Sequence, residues 1–141
     1  MAAAEPVNDC GLLYHLVQSD LWAACKAGGA PYYPPTYASD GFIHLTKEAA
    51  LLLPVANHFY TGVPGDFLVL EIDSRRLAGK VVFEPAAPVG TTPAKPAGGE
   101  DEVLFPHLYG TIDFSAVGRE LPVARGEGGS FLGIGGLEGA A

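Results

Sequence analysis

Glycine and proline interrupt this sequence so often that its regular elements must be short. The chain has 141 residues, of which 19 are glycine and 12 are proline. Glycine allows backbone conformations that end helices and strands, and proline removes a backbone hydrogen-bond donor. Both types cluster at residues 28–35 and 84–101, and glycine alone clusters at residues 126–141. Each cluster predicts an irregular segment, so the structure between them must be built from short elements.

The length and the apolar content fit one small domain. Hydrophobic residues make up 48% of the chain, which is enough for a single core at this length. Residues 1–10 are predicted to be a flexible leader and residues 11–125 the folded domain. Residues 126–141 are predicted to be a mobile Gly-rich tail with one short docked piece at 131–134.

Short apolar runs predict five or six strands and two early helices, an α+β layout. The predicted strands are Leu12–Val17, Gly41–Leu45, Phe67–Ile72, Val81–Glu84, Val103–Tyr109 and Glu120–Val123. Ser19 is placed to cap the first helix, which should end at Gly28. Thr46 is placed to cap the second, which should continue to about Tyr60. Pro54 lies inside that second pattern and predicts a kink or a break.

Charge and composition exclude several classes of function. Only eight basic residues are scattered along a chain of net charge −8, which disfavours binding to DNA or RNA. No apolar run approaches the roughly 20 residues that span a bilayer, so no membrane association is expected. Two cysteines do not make a disulfide framework, and the first nine residues lack the features of a signal peptide. An intracellular, cytoplasmic protein is expected, with an organelle left open.

Three histidines lie in three separate predicted strands, namely His15, His44 and His107. Strands of one small sheet can bring such side chains to a common face, where imidazoles act as acids, bases or ligand contacts. The alternative is that each is a core histidine bonded to a backbone carbonyl. A metal site is disfavoured because no motif of metal-ligand spacing is present. Tyr109, two residues after His107, joins these histidines as a fourth candidate.

The sequence also resembles a known family. The segments LYHLV, SDGFIHLT, VANHFY, LVLEID, VVFEP and FPHLYG, in this order, are similar to the domain of unknown function numbered 952 (DUF952), found in bacteria and plants. The resemblance covers about residues 12–125. It implies an ADP-ribosyltransferase-like fold, in which a small split antiparallel sheet surrounds a cleft that holds NAD.

Specific roles follow from that resemblance. Tyr14-His15 is similar to a first-strand motif whose histidine fixes the nicotinamide ribose, and Phe59 or Tyr60 would stack on nicotinamide. The implied catalytic residues are His15, His44, His107 and Tyr109. The implied cofactor contacts, with NAD as cofactor, are Tyr14, Tyr37, Ser39, Thr46, Phe59 and Tyr60.

The chain departs from the superfamily pattern in its late strand, which contains no glutamate. Glu102 lies three residues ahead of that strand, and Glu71 and Glu84 are the other candidates for a supporting carboxylate. Two alternative functions therefore remain. One is an enzyme that processes NAD or an ADP-ribosyl compound in a histidine-lined cleft. The other is a non-catalytic module of the same fold that binds a nucleotide, a metabolite or a protein.

Overall fold

Seven strands and three α-helices make up the described part of the chain. A computed structural model describes residues 6–89 and 104–137. The strands are β1 Leu12–Gln18, β2 Ile43–His44, β3 Phe67–Asp73, β4 Lys80–Pro85, β5 Leu104–Tyr109, β6 Val117–Arg125 and β7 Phe131–Ile134. The helices are α1 Ser19–Gly28, α2 Tyr37–Asp40 and α3 Leu52–Phe59, with short 3₁₀ turns at Ala49–Leu51, Ser74–Arg76, Phe114–Ala116 and Glu127–Gly129. This mixture confirms the predicted α+β class.

The strands form two antiparallel sheets that are joined at one point. The first sheet has the order β1-β3-β6-β7 and the second has the order β2-β5-β4. The sheets are connected where Tyr14 of β1 and Thr46 exchange both backbone hydrogen bonds, each at 2.8 Å. Beyond this pair, β2 is paired with β5 and β1 is paired with β3, so the two strands separate from each other. The junction therefore opens into a crevice between β1 and β2.

Strand β1 is buried on both faces. Successive side chains of a strand point to opposite sides, and each side of β1 packs against a different core cluster. Leu13 and Val17 belong to one core cluster, together with Trp22. Tyr14 and Leu16 belong to a second cluster, which α3 and β7 complete. Two cores thus lie on the two sides of one strand.

The predicted helix starts are wrong in detail. Ser19 is the first residue of α1 rather than its cap, because its N–H donates to the carbonyl of Asp66 at 2.9 Å and β1 runs directly into the helix. Thr46 caps no helix, because its backbone is bonded to Tyr14. The helix predicted to follow Thr46 is α3, and it begins only at Leu52, after a 3₁₀ turn. No helix among the described residues is long and apolar enough to cross a membrane.

The predicted leader and tail both contain anchored segments. The buried side chain of Asn8 donates to the carbonyl of Gly79 and accepts from the N–H of Val81, both at 2.8 Å. Residues 131–134, predicted as a docked piece of the tail, form β7 and pair with β6. The loop predicted at 84–101 lies outside the described residues from 90 onward.

Arg125 holds the β6–β7 hairpin against the loop that follows α3. Its guanidinium donates to the carbonyls of Val63, Gly65 and Gly129 at 2.6, 2.7 and 2.8 Å. The same group lies over the ring of Phe131, 4.2 Å from its centroid. A planar fork of five donors suits this set of diverging carbonyls, which one ammonium group cannot match.

We expect Arg125→Lys to lower the free energy of unfolding by about 2 kcal/mol, since hydrogen bonds from a charged donor contribute about 1.5–3 kcal/mol each. Urea denaturation monitored by circular dichroism measures the change. Arg75→Lys is the matched control, because the Arg75 side chain is 62% exposed. Equal losses in the two variants would contradict a structural role for Arg125.

Candidate functional site

The crevice between the two sheets contains a small cavity. Its volume is about 40 Å³, enough for about three water molecules at roughly 10–15 Å³ each. The walls come from β1, β2, β5, α3 and the segment that follows β4. The lining residues are Leu16, His44, Leu45, Thr46, Val55, Phe59, Tyr60, Ala86, Ala87, Val89, Phe105 and His107.

His44 and His107 lie directly opposite each other on β2 and β5. The N–H of Leu45 donates to the carbonyl of Pro106 at 3.0 Å, so the neighbouring pair 44–107 occupies a non-hydrogen-bonded position. Side chains approach most closely at such positions of an antiparallel pair. The two imidazole centroids are accordingly 5.5 Å apart.

Each of these histidines is bonded to a carboxylate. Nε2 of His44 lies 2.9 Å from Oδ2 of Asp40, and Nδ1 of His107 lies 2.7 Å from Oε1 of Glu84. An ionised carboxylate only accepts hydrogen bonds, so these two ring nitrogens carry the hydrogens. In the neutral rings, Nδ1 of His44 and Nε2 of His107 are therefore the acceptors left for a ligand.

Burial and hydrogen bonding set the protonation states of the site. Burial lowers the pKa of His44, against the opposing influence of Asp40, so His44 is neutral at pH 7. Hydrogen bonds from Tyr109 and His107 hold the pKa of Glu84 below its usual range, so Glu84 is ionised. Burial, aided by the charge of Asp40, raises the pKa of Tyr60 to about 12. The Tyr60 hydroxyl therefore keeps its proton and can donate it in a hydrogen bond.

Phe42 fixes the orientation of both rings. It stacks on His107 with a centroid distance of 4.1 Å and an interplanar angle of 19°, and it lies 4.7 Å from the centroid of His44. Phe42 immediately precedes β2, and its ring lies beside that of His44 two residues later in the extended chain. The aromatic contact and the carboxylates together leave these imidazoles little rotational freedom.

The comparisons with known proteins identify the family. The model of a protein family of unknown function, DUF952, matches residues 16–120. The chain belongs to the DUF952 family. The match includes His44, Glu84 and His107, and it begins one residue after His15. No curated protein matches the chain.

Solved structures of another protein share the fold of this DUF952 domain. The crystal structure of CC0527 from Caulobacter crescentus has 24% sequence identity, covers 86% of this chain and 93% of that chain, and has a TM-score of 0.63. A double mutant of CC0527 has 23% identity, the same coverages and a TM-score of 0.64. Its solution structure has 24% identity, coverages of 84% and 89%, and a TM-score of 0.57. At this identity the likeness concerns the fold alone.

His15 of the DUF952 domain does not line the cavity, because its side chain is buried on the opposite face of β1, beside Tyr32. Its Nδ1–H donates to the carbonyl of His44 at 2.9 Å, and its Nε2 lies 2.8 Å from the hydroxyl of Tyr32. A carbonyl can only accept, so Nε2 is the acceptor for the Tyr32 hydroxyl. Burial lowers the pKa of His15 to about 4. Both ring nitrogens are thus engaged, and contact with a ribose stays a prediction.

The other predicted site residues divide into two groups. Thr46, Phe59 and Tyr60 line the cavity with His44 and His107. Tyr109 is 41% exposed and lies outside the cavity lining, where its hydroxyl donates to Glu84 at 2.8 Å and its ring centroid lies 5.4 Å from that of Phe42.

Three predicted cofactor contacts lie outside the cavity lining. Tyr14 packs in the second core cluster. Tyr37 packs against Tyr33, with ring centroids 4.6 Å apart, and the hydroxyl of Ser39 donates to the carbonyl of Thr36 at 3.1 Å.

The candidate carboxylates have different surroundings. Glu71 accepts two hydrogen bonds from Arg119, at 2.9 and 2.8 Å, which makes it part of a surface ion pair. Glu102 lies outside the described residues. Glu84 is the candidate that contacts a site histidine. Within residues 6–89 and 104–137, no three histidine, cysteine or acidic side chains are gathered as a metal site would need.

Sequence reasoning missed Asp40 and Phe42 as parts of the site. Asp40 precedes His44 by four residues, and Phe42 precedes it by two. The alternation of a strand could have indicated Phe42. The spacing of Asp40 gives no such indication, because a turn at Gly41, with φ of 85°, separates it from β2.

We expect the domain to lose stability as pH falls from 6.5 toward 4. In that window the unfolded chain binds a proton at His15 and the native state does not, because burial lowers the native pKa to about 4. The loss from this group amounts to about 3 kcal/mol. Urea denaturation at pH 7, 6, 5 and 4 measures it.

Imidazole NMR signals give an independent check on this prediction. The His15 ring should remain neutral with hydrogen on Nδ1 at pH 5. A His15 ring that titrates near 6.5 would show that the buried arrangement is wrong.

Proposed function

We propose that the crevice binds an NAD-like or ADP-ribosyl compound and that His44 and His107 transfer protons to and from it. The observation that carries the proposal is the pair of carboxylate-bonded imidazoles, with ring centroids 5.5 Å apart, at a cavity where two sheets separate. An imidazole oriented by a carboxylate is a common general acid–base device near neutral pH. A ligand site is typically apolar with a few convergent polar groups, as here.

The ligand class is argued from the fold and from the cavity walls. The separation of two antiparallel sheets is similar to the arrangement that holds NAD in ADP-ribosyltransferase-like proteins, which is an argument by analogy. Phe59 and Tyr60 offer aromatic surface, and the Tyr60 and Thr46 hydroxyls can bond to ligand oxygens. A cavity of about 40 Å³ admits only part of a nucleotide, so the rest would lie outside it.

A non-catalytic module of the same fold is the second candidate. Strand β5 reads Leu-Phe-Pro-His-Leu-Tyr and contains no acidic residue, although the related transferases carry a glutamate in their late strand. His107 is also only 2% exposed. Under this alternative the two histidines recognise a ligand and no bond is broken.

We expect NAD or ADP-ribose to stabilise the protein against heat, and His44→Gln to remove that effect. Ligand at 100 times its dissociation constant adds about 2.7 kcal/mol of stability, which corresponds to several degrees for a domain of this size. Thermal denaturation with and without each compound measures the shift. Glu127→Gln, a substitution of an exposed residue in the 3₁₀ turn between β6 and β7, is the control and should keep the full shift.

Two further outcomes separate the candidates. No shift with any nucleotide, or an equal shift in His44→Gln, would contradict the proposed site. Binding without release of nicotinamide from NAD, or of ADP-ribose from its conjugates, would favour the non-catalytic module.

A further inference from the structure

The two ligand classes in the proposed function place different demands on the protein. In NAD, C1 of the ribose is bonded to a cationic pyridinium nitrogen, and nicotinamide leaves as a neutral molecule that needs no proton. In an O-linked ADP-ribosyl compound, the same carbon is bonded to oxygen. An alkoxide is a poor leaving group, so cleavage needs a general acid at that oxygen as well as a base at the attacking water.

We infer that this site serves O-linked ADP-ribosyl compounds, with His107 as general acid, His44 as general base, and Glu84 and Asp40 as the residues that position them. The inference rests on the proposed function and names its substrate class. The supporting geometry is a pair of imidazoles, each oriented by its own carboxylate. Cleavage of NAD would need at most one of them, as a base for the attacking water.

His107 has the surroundings of a general acid. Nδ1 is bonded to Glu84 at 2.7 Å, which leaves Nε2 for a ligand in the cavity that His107 lines. The same Glu84 oxygen accepts from Tyr109 at 2.8 Å, and Phe42 stacks on the ring. A carboxylate in this position orients the ring and stabilises the imidazolium that donates a proton. Glu84 is therefore a positioning residue, and Tyr109 acts through it.

His44 has the surroundings of a general base. Asp40 accepts from Nε2–H at 2.9 Å, so Nδ1 is the nitrogen that can take a proton. The side chain of His44 is only 15% exposed and that of Asp40 only 7%. Burial lowers the pKa of His44, which keeps the ring neutral and able to accept. The two rings thus differ in which nitrogen faces a ligand and in how deeply their carboxylate partners are buried.

The cavity is less suited to the cationic ring of NAD. Its lining residues, all within the described ranges, include no aspartate or glutamate to balance a pyridinium. The two nearby carboxylates are already bonded to the histidines. A protonated His107 would also repel the positive charge of the ring at short range.

The reaction balances with water as the only co-substrate. Nδ1 of His44 removes a proton from water as the water oxygen forms a bond to C1 of the ribose. The bond from C1 to the leaving oxygen breaks, its electron pair stays on that oxygen, and the oxygen takes the proton from Nε2 of the His107 imidazolium, which becomes neutral. The products are ADP-ribose and an alcohol, and the two histidines then return to their starting states by proton exchange with solvent.

Wild-type protein tests the substrate class directly. The probes are a peptide carrying ADP-ribosyl-serine and NAD itself, and chromatography measures released ADP-ribose and nicotinamide. We expect the O-linked peptide to be cleaved at least about 100-fold faster than NAD, because a general acid contributes about 10²–10⁴-fold only where the leaving group needs a proton. Faster release of nicotinamide would overturn the inference and leave the proposed function intact. If neither probe is cleaved and neither shifts the thermal denaturation of the protein, the proposed function itself is overturned.

Leaving-group dependence tests the roles of the individual residues. His107→Gln and Glu84→Gln should lose about 100-fold or more on the serine conjugate, yet much less on 4-nitrophenyl ADP-ribose, whose leaving group needs no proton. A purely structural role would reduce both rates equally, and that result would overturn the assignment of His107. Glu127→Gln is the matched control for Glu84→Gln and should cleave both conjugates at the wild-type rate.

Discussion

The backbone pairing of Tyr14 with Thr46 is the constraint on which the rest of the structure depends. It joins the two sheets, and beyond it β1 and β2 separate, so the carbonyl of His44 has no strand partner from β1. The Nδ1–H of His15 takes that place at 2.9 Å, and Tyr32 satisfies the other ring nitrogen. Because an unpaired buried carbonyl is costly, this side-chain substitute is what allows the sheets to open.

The same junction explains which histidines reach the crevice. Residues directly opposite each other in an antiparallel pair share a face, so Tyr14, Thr46 and His44 lie on one side. His15 is offset by one residue from Tyr14 and therefore faces the other core, beside Tyr32. His107 is opposite His44 on β5 and so joins it. A register one residue different would exchange these roles.

The sequence therefore predicts the elements better than it predicts the site. Apolar runs such as 67–72 mark strands wherever they fall, because burial of one or both faces needs that pattern. The sequence could not show which histidines converge, because this depends on the register between β1 and residue 46. That register is set by contacts between residues far apart in sequence. Thr46 was expected to cap a helix for a related reason: threonine suits a cap and a strand equally well, and only the distant Tyr14 decides between them.

The positions of the charges bear on how such a site selects a ligand. In a chain of net charge −8, the described cavity lining carries no lysine, arginine, aspartate or glutamate. Asp40 and Glu84 are bonded to the imidazoles, so their charges would act on a bound compound through the rings. Glu84 is the more exposed of the two, with 35% of its side chain accessible against 7% for Asp40. Under the proposed function, the cavity would therefore discriminate by donors, acceptors and shape, and the negatively charged diphosphate would lie outside it, where solvent screens the net charge of the protein.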